Sequence, residues 1–240
     1  MKKVIKRTLI LLFVICIIVG GVLVYQGYEM YESKINETGI LDMKKQIMEN
    51  TDNFTKIEDV PEVYKKALVA VEDKRFYKHN GIDIISIGRA IVTDIKEMEF
   101  VEGGSTITQQ LAKNTYFTQE KSVIRKIAEV FAAIDYEKNL SKDEILELYI
   151  NTCYYGDGYY CIADAAEGYF YKDVSEMDTY ECTLLVGIPN APSVYAPTKN
   201  PELSKERQNQ VLNKMLEEGY ITEEEVSKVK EEEYDYGDKR

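Results

Sequence analysis

Glu102-Gly103-Gly104-Ser105-Thr106-Ile107-Thr108-Gln109-Gln110-Leu111-Ala112-Lys113-Asn114 runs a diglycine into a helix start crowded with hydroxyl and amide side chains. No ordinary hydrophobic core wants that mixture. The glycines let the backbone approach a ligand closely. Ser105 or Thr106 can cap the helix that follows, whose free N–H groups then face any anion docked there. Thr106 and Gln109 also have capping-box spacing, which alone describes a well-made helix start. Both readings place a helix directly after Gly104.

Helical periodicity continues on both sides. Upstream, Pro61 suits a first turn, and Val63, Ala67, Leu68 and Val71 recur at helical spacing, so Glu72 falls near a helix end. Ile84, Ile87, Ile91, Ile95 and Met98 form a second stripe, extended by Phe100. Downstream, Ser122 opens a helix with Ile124, Ile127, Ala128, Phe131 and Ile134 on one face. Ser141 with Glu144, and Thr222 with Glu225, have capping-box spacing. Further helices are predicted over 162–170, 175–188 and 200–219. No alternating run is long enough for a sheet, so the domain is expected to be all-α.

Four segments, in order, carry a family likeness. They are Glu72-Asp73-Lys74-Arg75-Phe76-Tyr77-Lys78-His79-Asn80-Gly81, the diglycine stretch, Arg125-Lys126-Ile127-Ala128-Glu129, and Lys142-Asp143-Glu144-Ile145-Leu146-Glu147-Leu148-Tyr149-Ile150-Asn151. The series resembles the peptidoglycan glycosyltransferases (glycosyltransferase family 51), shared by monofunctional cell-wall polymerases and the N-terminal halves of bifunctional penicillin-binding proteins. The likeness implies a lysozyme-like helical glycosyltransferase domain with a membrane-associated jaw at the 84–100 stripe, which periodicity alone reads equally well as core. It implies lipid II and the growing glycan strand as substrates.

By the same resemblance, Glu72 is the base that deprotonates the acceptor 4-hydroxyl, and Glu129 the second carboxylate, on the donor side. Lys113, Arg125 and Lys126, with Lys121, hold the departing pyrophosphate. Ser105 and Gln110 match positions that contact donor sugar or phosphate. Asp73, Phe76 and His79 complete the first motif, with packing weighed against substrate contact. Taken alone, Glu72 would pass for a helix-end carboxylate paired with Lys65, Arg75 or Lys78, and Arg125 with Glu129 for an i, i+4 surface pair. Some family members use a divalent metal, magnesium or manganese, at the pyrophosphate; the sequence displays no ligand set for one. Cys161 and the pair Arg207-Gln208 depart from the family pattern, where a glycine and paired arginines are usual.

At 240 residues and 45% hydrophobic content the chain can bury one good-sized core. Residues 8–25 carry no charge, and 18 residues at 1.5 Å rise give about 27 Å, close to a bilayer's hydrocarbon thickness. They read as an uncleaved transmembrane signal anchor. Residues 1–7 are then a cytoplasmic basic tail with Lys2, Lys3, Lys6 and Arg7, and the catalytic domain is extracytoplasmic. Residues 26–56 read as a helical stalk, 57–220 as the catalytic domain, and 221–240 as a last helix with an acidic tail. A net charge of −12 argues against nucleic acid, not against a phosphorylated substrate. Partners are expected to be lipid II, the cytoplasmic membrane and other wall-synthesis proteins. Cys153, Cys161 and Cys182 lack metal or disulfide spacing and read as small buried residues. Penicillin-reactive domains carry a Ser-x-x-Lys and a Lys-Thr-Gly motif; neither is recognised here, so a monofunctional polymerase is expected. A muramidase-like hydrolase and an inactive wall-synthesis scaffold are the alternatives. The first would not need phosphate-side cations, and the second would not need both glutamates.

Overall fold

The computed structural model describes residues 2–97, 103–118 and 122–232, and among them every regular element is a helix. The longest is α1 (Lys2–Glu37), the one described helix long and apolar enough to cross a membrane. Its large apolar side chains from Leu9 to Val19 are exposed, as expected of a surface that meets lipid. The helix runs beyond the apolar segment, and α2 (Ile40–Asn50) follows after a short break at Thr38 and Gly39. Ile40 and Ile47 of α2 are part of the hydrophobic core.

The centre of the domain is a packed group of α3 (Glu62–Glu72), α9 (Thr179–Gly187) and α11 (Pro201–Glu217). Beside it lies a second group, α5 (Ile107–Tyr116), α6 (Val123–Asn139) and α7 (Lys142–Ile150). Helix α4 (Ile84–Glu97) lies between them in sequence; α8 (Ile162–Phe170), the one-turn α10 (Pro192–Tyr195) and α12 (Glu223–Glu231) complete the fold. The buried core is rich in tyrosine: Tyr64, Tyr136, Tyr149 and Tyr155 are almost fully covered. Each phenol needs a partner to be buried cheaply. Tyr64 and Tyr155 hydrogen-bond each other at 2.9 Å, and Tyr136 pairs with Thr115 at 2.9 Å.

The helix starts follow local chemistry. Thr106 and Gln109 form the reciprocal capping box, as do Ser141 with Glu144 and Thr222 with Glu225, and Gly219 closes the turn after α11 with φ 72°. The helix predicted over 175–188 starts later, at Thr179, because Asp178 and Glu181 make their own capping box and leave 174–176 as a 3-10 turn. The apolar stripe of α6 also lies differently. Small residues, Ala128, Ala132 and Ala133, face the core, while Ile127 and Phe131 turn to α1. Periodicity finds an apolar face but not which neighbour covers it. On α4, Ile84 and Ile85 are exposed, so that end of the stripe is not core; Met98 and Phe100 lie outside the described residues.

Candidate active site

A cleft of about 960 Å³ opens between the two helix groups. Glu72, at the last turn of α3, enters it with a side chain 12% exposed. Gln110 of α5 donates to Glu72 Oε2 at 2.7 Å and accepts from the buried Tyr149 hydroxyl at 3.1 Å, so the amide is fixed from behind. Arg207 of α11 brings a guanidinium nitrogen to 3.5 Å from Glu72 Oε1. That arginine is held in turn by Gln210 at 2.8 Å and lies over the Tyr195 ring at 5.9 Å. Glu72 thus keeps a solvent-facing carboxylate in a defined orientation, the geometry a proton acceptor requires.

Glu129 is set differently. Its side chain is 1% exposed, with Lys126 Nζ at 2.9 Å from one oxygen and Arg125 Nε at 3.2 Å from the other. A buried carboxylate is tolerable only with such partners. Lys126 also donates to Ser105 Oγ at 2.6 Å, and Arg125 donates to the Thr118 carbonyl at 2.9 Å. Lys126 is therefore anchored at the diglycine loop and Arg125 at the connection between α5 and α6, and both line the cleft. Lys113, one turn beyond Gln110 on α5, lines the same wall and has no ion pair among the described residues.

Asp73 and His79 serve the scaffold. His79 Nε2 lies 2.9 Å from Asp73 Oδ2, and the same oxygen accepts the Ile107 backbone N–H at 3.1 Å, at the start of α5 where helix donors are unpaired. Gly81, with φ 88°, sits where a Cβ would meet the Ala133 carbonyl at 2.9 Å, and its own carbonyl accepts the Thr106 hydroxyl at 2.7 Å. The first motif is thereby tied to the diglycine motif. Phe76 is fully buried under the Lys142 ammonium, 4.3 Å from the ring centroid, and neither Phe76 nor His79 reaches the cleft wall. Asp73 reaches it but is 6% exposed. Lys121 lies outside the described residues.

Of the residues singled out from the sequence, Glu72, Ser105, Gln110, Lys113, Arg125, Lys126 and Glu129 converge on one cavity. Arg89 of α4, Asn190 and Tyr195 near α10, and Arg207, Gln210 and Lys214 of α11 line it too. Arg207 had a signal, since it heads the last motif. The others follow no motif and become visible only once α4 and α11 are folded against α3. Among the described residues, seven basic and five acidic side chains line the cleft, in a chain of net charge −12. The basic balance is local.

Cys161 and Gln208, the residues that depart from the family pattern, lie off the cleft. Cys161 caps α8, its sulfur accepting the Asp164 N–H at 3.4 Å. Gln208 is buried and donates to the Tyr180 carbonyl at 2.9 Å and to Thr183 Oγ1 at 3.1 Å, stitching α11 to α9. Burial pushes the Cys153 thiol up to about 12 and the Cys161 thiol up to about 11, so neither is a nucleophile at neutral pH. Contrary to the expectation of none, one Ser-x-x-Lys spacing exists, Ser227 to Lys230, with both residues exposed on α12; the Ser227 hydroxyl is spent on the Glu223 carbonyl at 2.9 Å. The described residues include no cluster of three or more His, Cys, Asp or Glu able to hold a metal ion, and Glu129 already faces two cations.

Residues 40–216 match the family described as Transglycosylase, and the chain belongs to it. Among curated relatives, penicillin-binding protein 1F of Bacillus subtilis (strain 168) is 47% identical over 170 residues, covering 71% of this chain and 24% of that protein. Penicillin-binding protein 1A of Neisseria cinerea is 48% identical over 188 residues, covering 78% of this chain and 24% of its own length. The chain thus spans about a quarter of the length of these relatives. A crystal structure of penicillin-binding protein 1A from Haemophilus influenzae aligns with TM-score 0.47 and 26% identity over 77% of this chain and 18% of that one.

Proposed function

We propose that the chain is a peptidoglycan glycosyltransferase that polymerises lipid II into glycan strands. The observation carrying this reading is the asymmetry of the cleft. At one end an accessible carboxylate, Glu72, is oriented by neutral and cationic partners. At the other, a buried carboxylate gathers Arg125 and Lys126, with Lys113 nearby. Glu72 removes the proton from the 4-hydroxyl of the acceptor N-acetylglucosamine as that oxygen attacks the anomeric carbon of the donor. The bond from that carbon to the diphosphate oxygen breaks, with inversion, and undecaprenyl diphosphate leaves towards the cations. Charge grows on the leaving oxygen in the transition state, so fixed cations in a water-poor cleft stabilise it more than the ground state. Glu129 fixes the two α6 cations rather than taking the proton.

A hydrolase cutting the same glycan has no diphosphate to release, and the cationic end favours transfer. We assign glycosyl transfer alone to these 240 residues. In the proposed topology α1 spans the cytoplasmic membrane, its basic leading residues stay inside, and the cleft faces outwards. The exposed Ile84, Ile85 and Val92 of α4, with Val123 of α6, form the apolar jaw that rests in the membrane surface. The deciding experiment incubates purified protein with labelled lipid II, beside a Glu72→Gln control, and resolves the products on a gel. Polymer from the wild type and not from the control is expected; shortening of preformed glycan without polymer would overturn the assignment.

A further inference from the structure

The contact between α1 and α6 is the most extensive pairing of any two helices in the fold. Gly27 lies only two residues, about 3 Å of rise, past Tyr25. A Cβ there would stand 2.5 Å from Ile127 Cγ2 and 3.1 Å from the Ile124 carbonyl, so only glycine lets the two helices approach this closely. Next to it, Tyr28 meets Phe131 edge-on at 5.4 Å, and one turn further the Tyr31 ring packs on Phe131 at 5.7 Å. The Tyr31 hydroxyl donates to the Asp135 carboxylate. Just past the end of α1, the Thr38 carbonyl accepts from Tyr116 at 3.1 Å, which ties the same segment to α5.

Ile127, Phe131 and Asp135 recur at i, i+4, i+8 and make one face of α6. Arg125 and Glu129 stand about 160° around the helix from Ile127, at 100° per residue. Helix α6 is therefore held between α1 on one side and the cleft on the other. Arg125 and Glu129 are each two residues from Ile127, about 3 Å along the axis.

We infer that docking of α1 on α6 sets the height of the leaving-group cations above the bilayer, with Gly27 and Tyr31 as positioning residues. The inference rests on the glycosyltransferase reading and deepens it. A lipid-linked diphosphate is confined to the membrane interface, so its phosphates meet the cations only if α6 is held at that level. A tether without docking would leave that level to the apolar jaw alone. Geometry misplaced by about 1 Å can cost a reaction about a hundredfold, so a height device has catalytic weight.

The test uses the full chain in two settings: proteoliposomes carrying long-chain lipid II, and detergent solution with a short-prenyl, water-soluble analogue. Gly27→Leu drives a side chain into Ile127, and Tyr31→Ala removes the ring and hydroxyl without adding bulk. Both leave the apolar run of α1 intact, so membrane association should be unchanged. Polymerisation in vesicles should fall by at least about tenfold, while turnover of the soluble analogue stays within about threefold of wild type. Unchanged rates in vesicles for both variants would overturn the inference. Equal losses with both substrates would do the same, since they mean general damage and not a lost height. A wild type inactive with either substrate would instead fail the glycosyltransferase reading, and this inference with it.

Discussion

Replacing Arg125 by alanine should damage both folding and chemistry, whereas replacing Lys113 should damage chemistry alone. Arg125 is 14% exposed and faces a carboxylate that is 1% exposed. Breaking a buried pair by removing one partner costs about 3–5 kcal/mol when the remaining charge has no other compensation. Here Lys126 remains at 2.9 Å from the other oxygen. The expected loss is therefore smaller, about 1–3 kcal/mol, or a melting temperature lower by roughly 2–10 °C for a domain of this size. Lys113 has no ion pair among the described residues, so Lys113→Ala should shift stability by no more than about 0.5 kcal/mol. For turnover the two should resemble each other. Loss of one preorganised charge at the leaving group raises the barrier by about 2–4 kcal/mol, roughly thirty- to a thousandfold in rate. Thermal melts in detergent and gel-resolved polymerisation of labelled lipid II measure both quantities. An Arg125→Ala protein that melts with the wild type would refute the buried-pair argument. Undiminished polymerisation by Lys113→Ala would remove that lysine from the leaving-group side.

Glu72→Gln can keep its contact with Gln110, so it should fold and bind lipid II, yet lose at least about a hundredfold in polymerisation for want of a base; a folded variant with near-normal rates would end the mechanism. Glu144 is held at about 2 rather than the ordinary 4.5, chiefly by the Lys44 ammonium and then by the Ser141 backbone N–H. That pair joins α2 to α7. Its contribution is complete above about pH 4.5 and lost as pH falls towards about 2; Lys44→Met should flatten this part of an acid-unfolding curve, and an unchanged curve would count against it. Cys153 and Cys161, whose thiols are raised by burial, should resist iodoacetamide at pH 8 in the folded protein and react after denaturation, read by mass spectrometry; rapid labelling of the native chain would contradict their placement.

Sequence reading reached the helices whose caps are written locally, such as Thr106 with Gln109 and Ser141 with Glu144. It missed the start of α9, because Asp178 competes with Ser175 and only geometry decides between two plausible caps. It brought together Glu72, Gln110, Arg125 and Glu129 through motifs, and left Asp73 and His79 between packing and substrate contact; in the fold their bonds brace the start of α5. A motif records that a residue matters without recording whether it faces the ligand or the scaffold. The lining from α4 and α11 was invisible for a different cause: Arg89, Gln210 and Lys214 are ordinary surface residues of amphipathic helices until the tertiary fold aims them inwards. Segment 26–56 was read as a stalk since its apolar residues are scattered; Gly27, Tyr31, Ile40 and Ile47 find their partners on distant helices.

The bond from Arg207 to Glu72 joins residues 135 positions apart. A chain synthesised from its N-terminus presents α3, α5 and α6 before α11 exists. During that interval Glu72 has its glutamine and lacks its guanidinium, and the wall carrying Arg207, Gln210 and Lys214 is missing. Assembly of the cleft is therefore a late event in synthesis, complete only when α11 folds back onto α3.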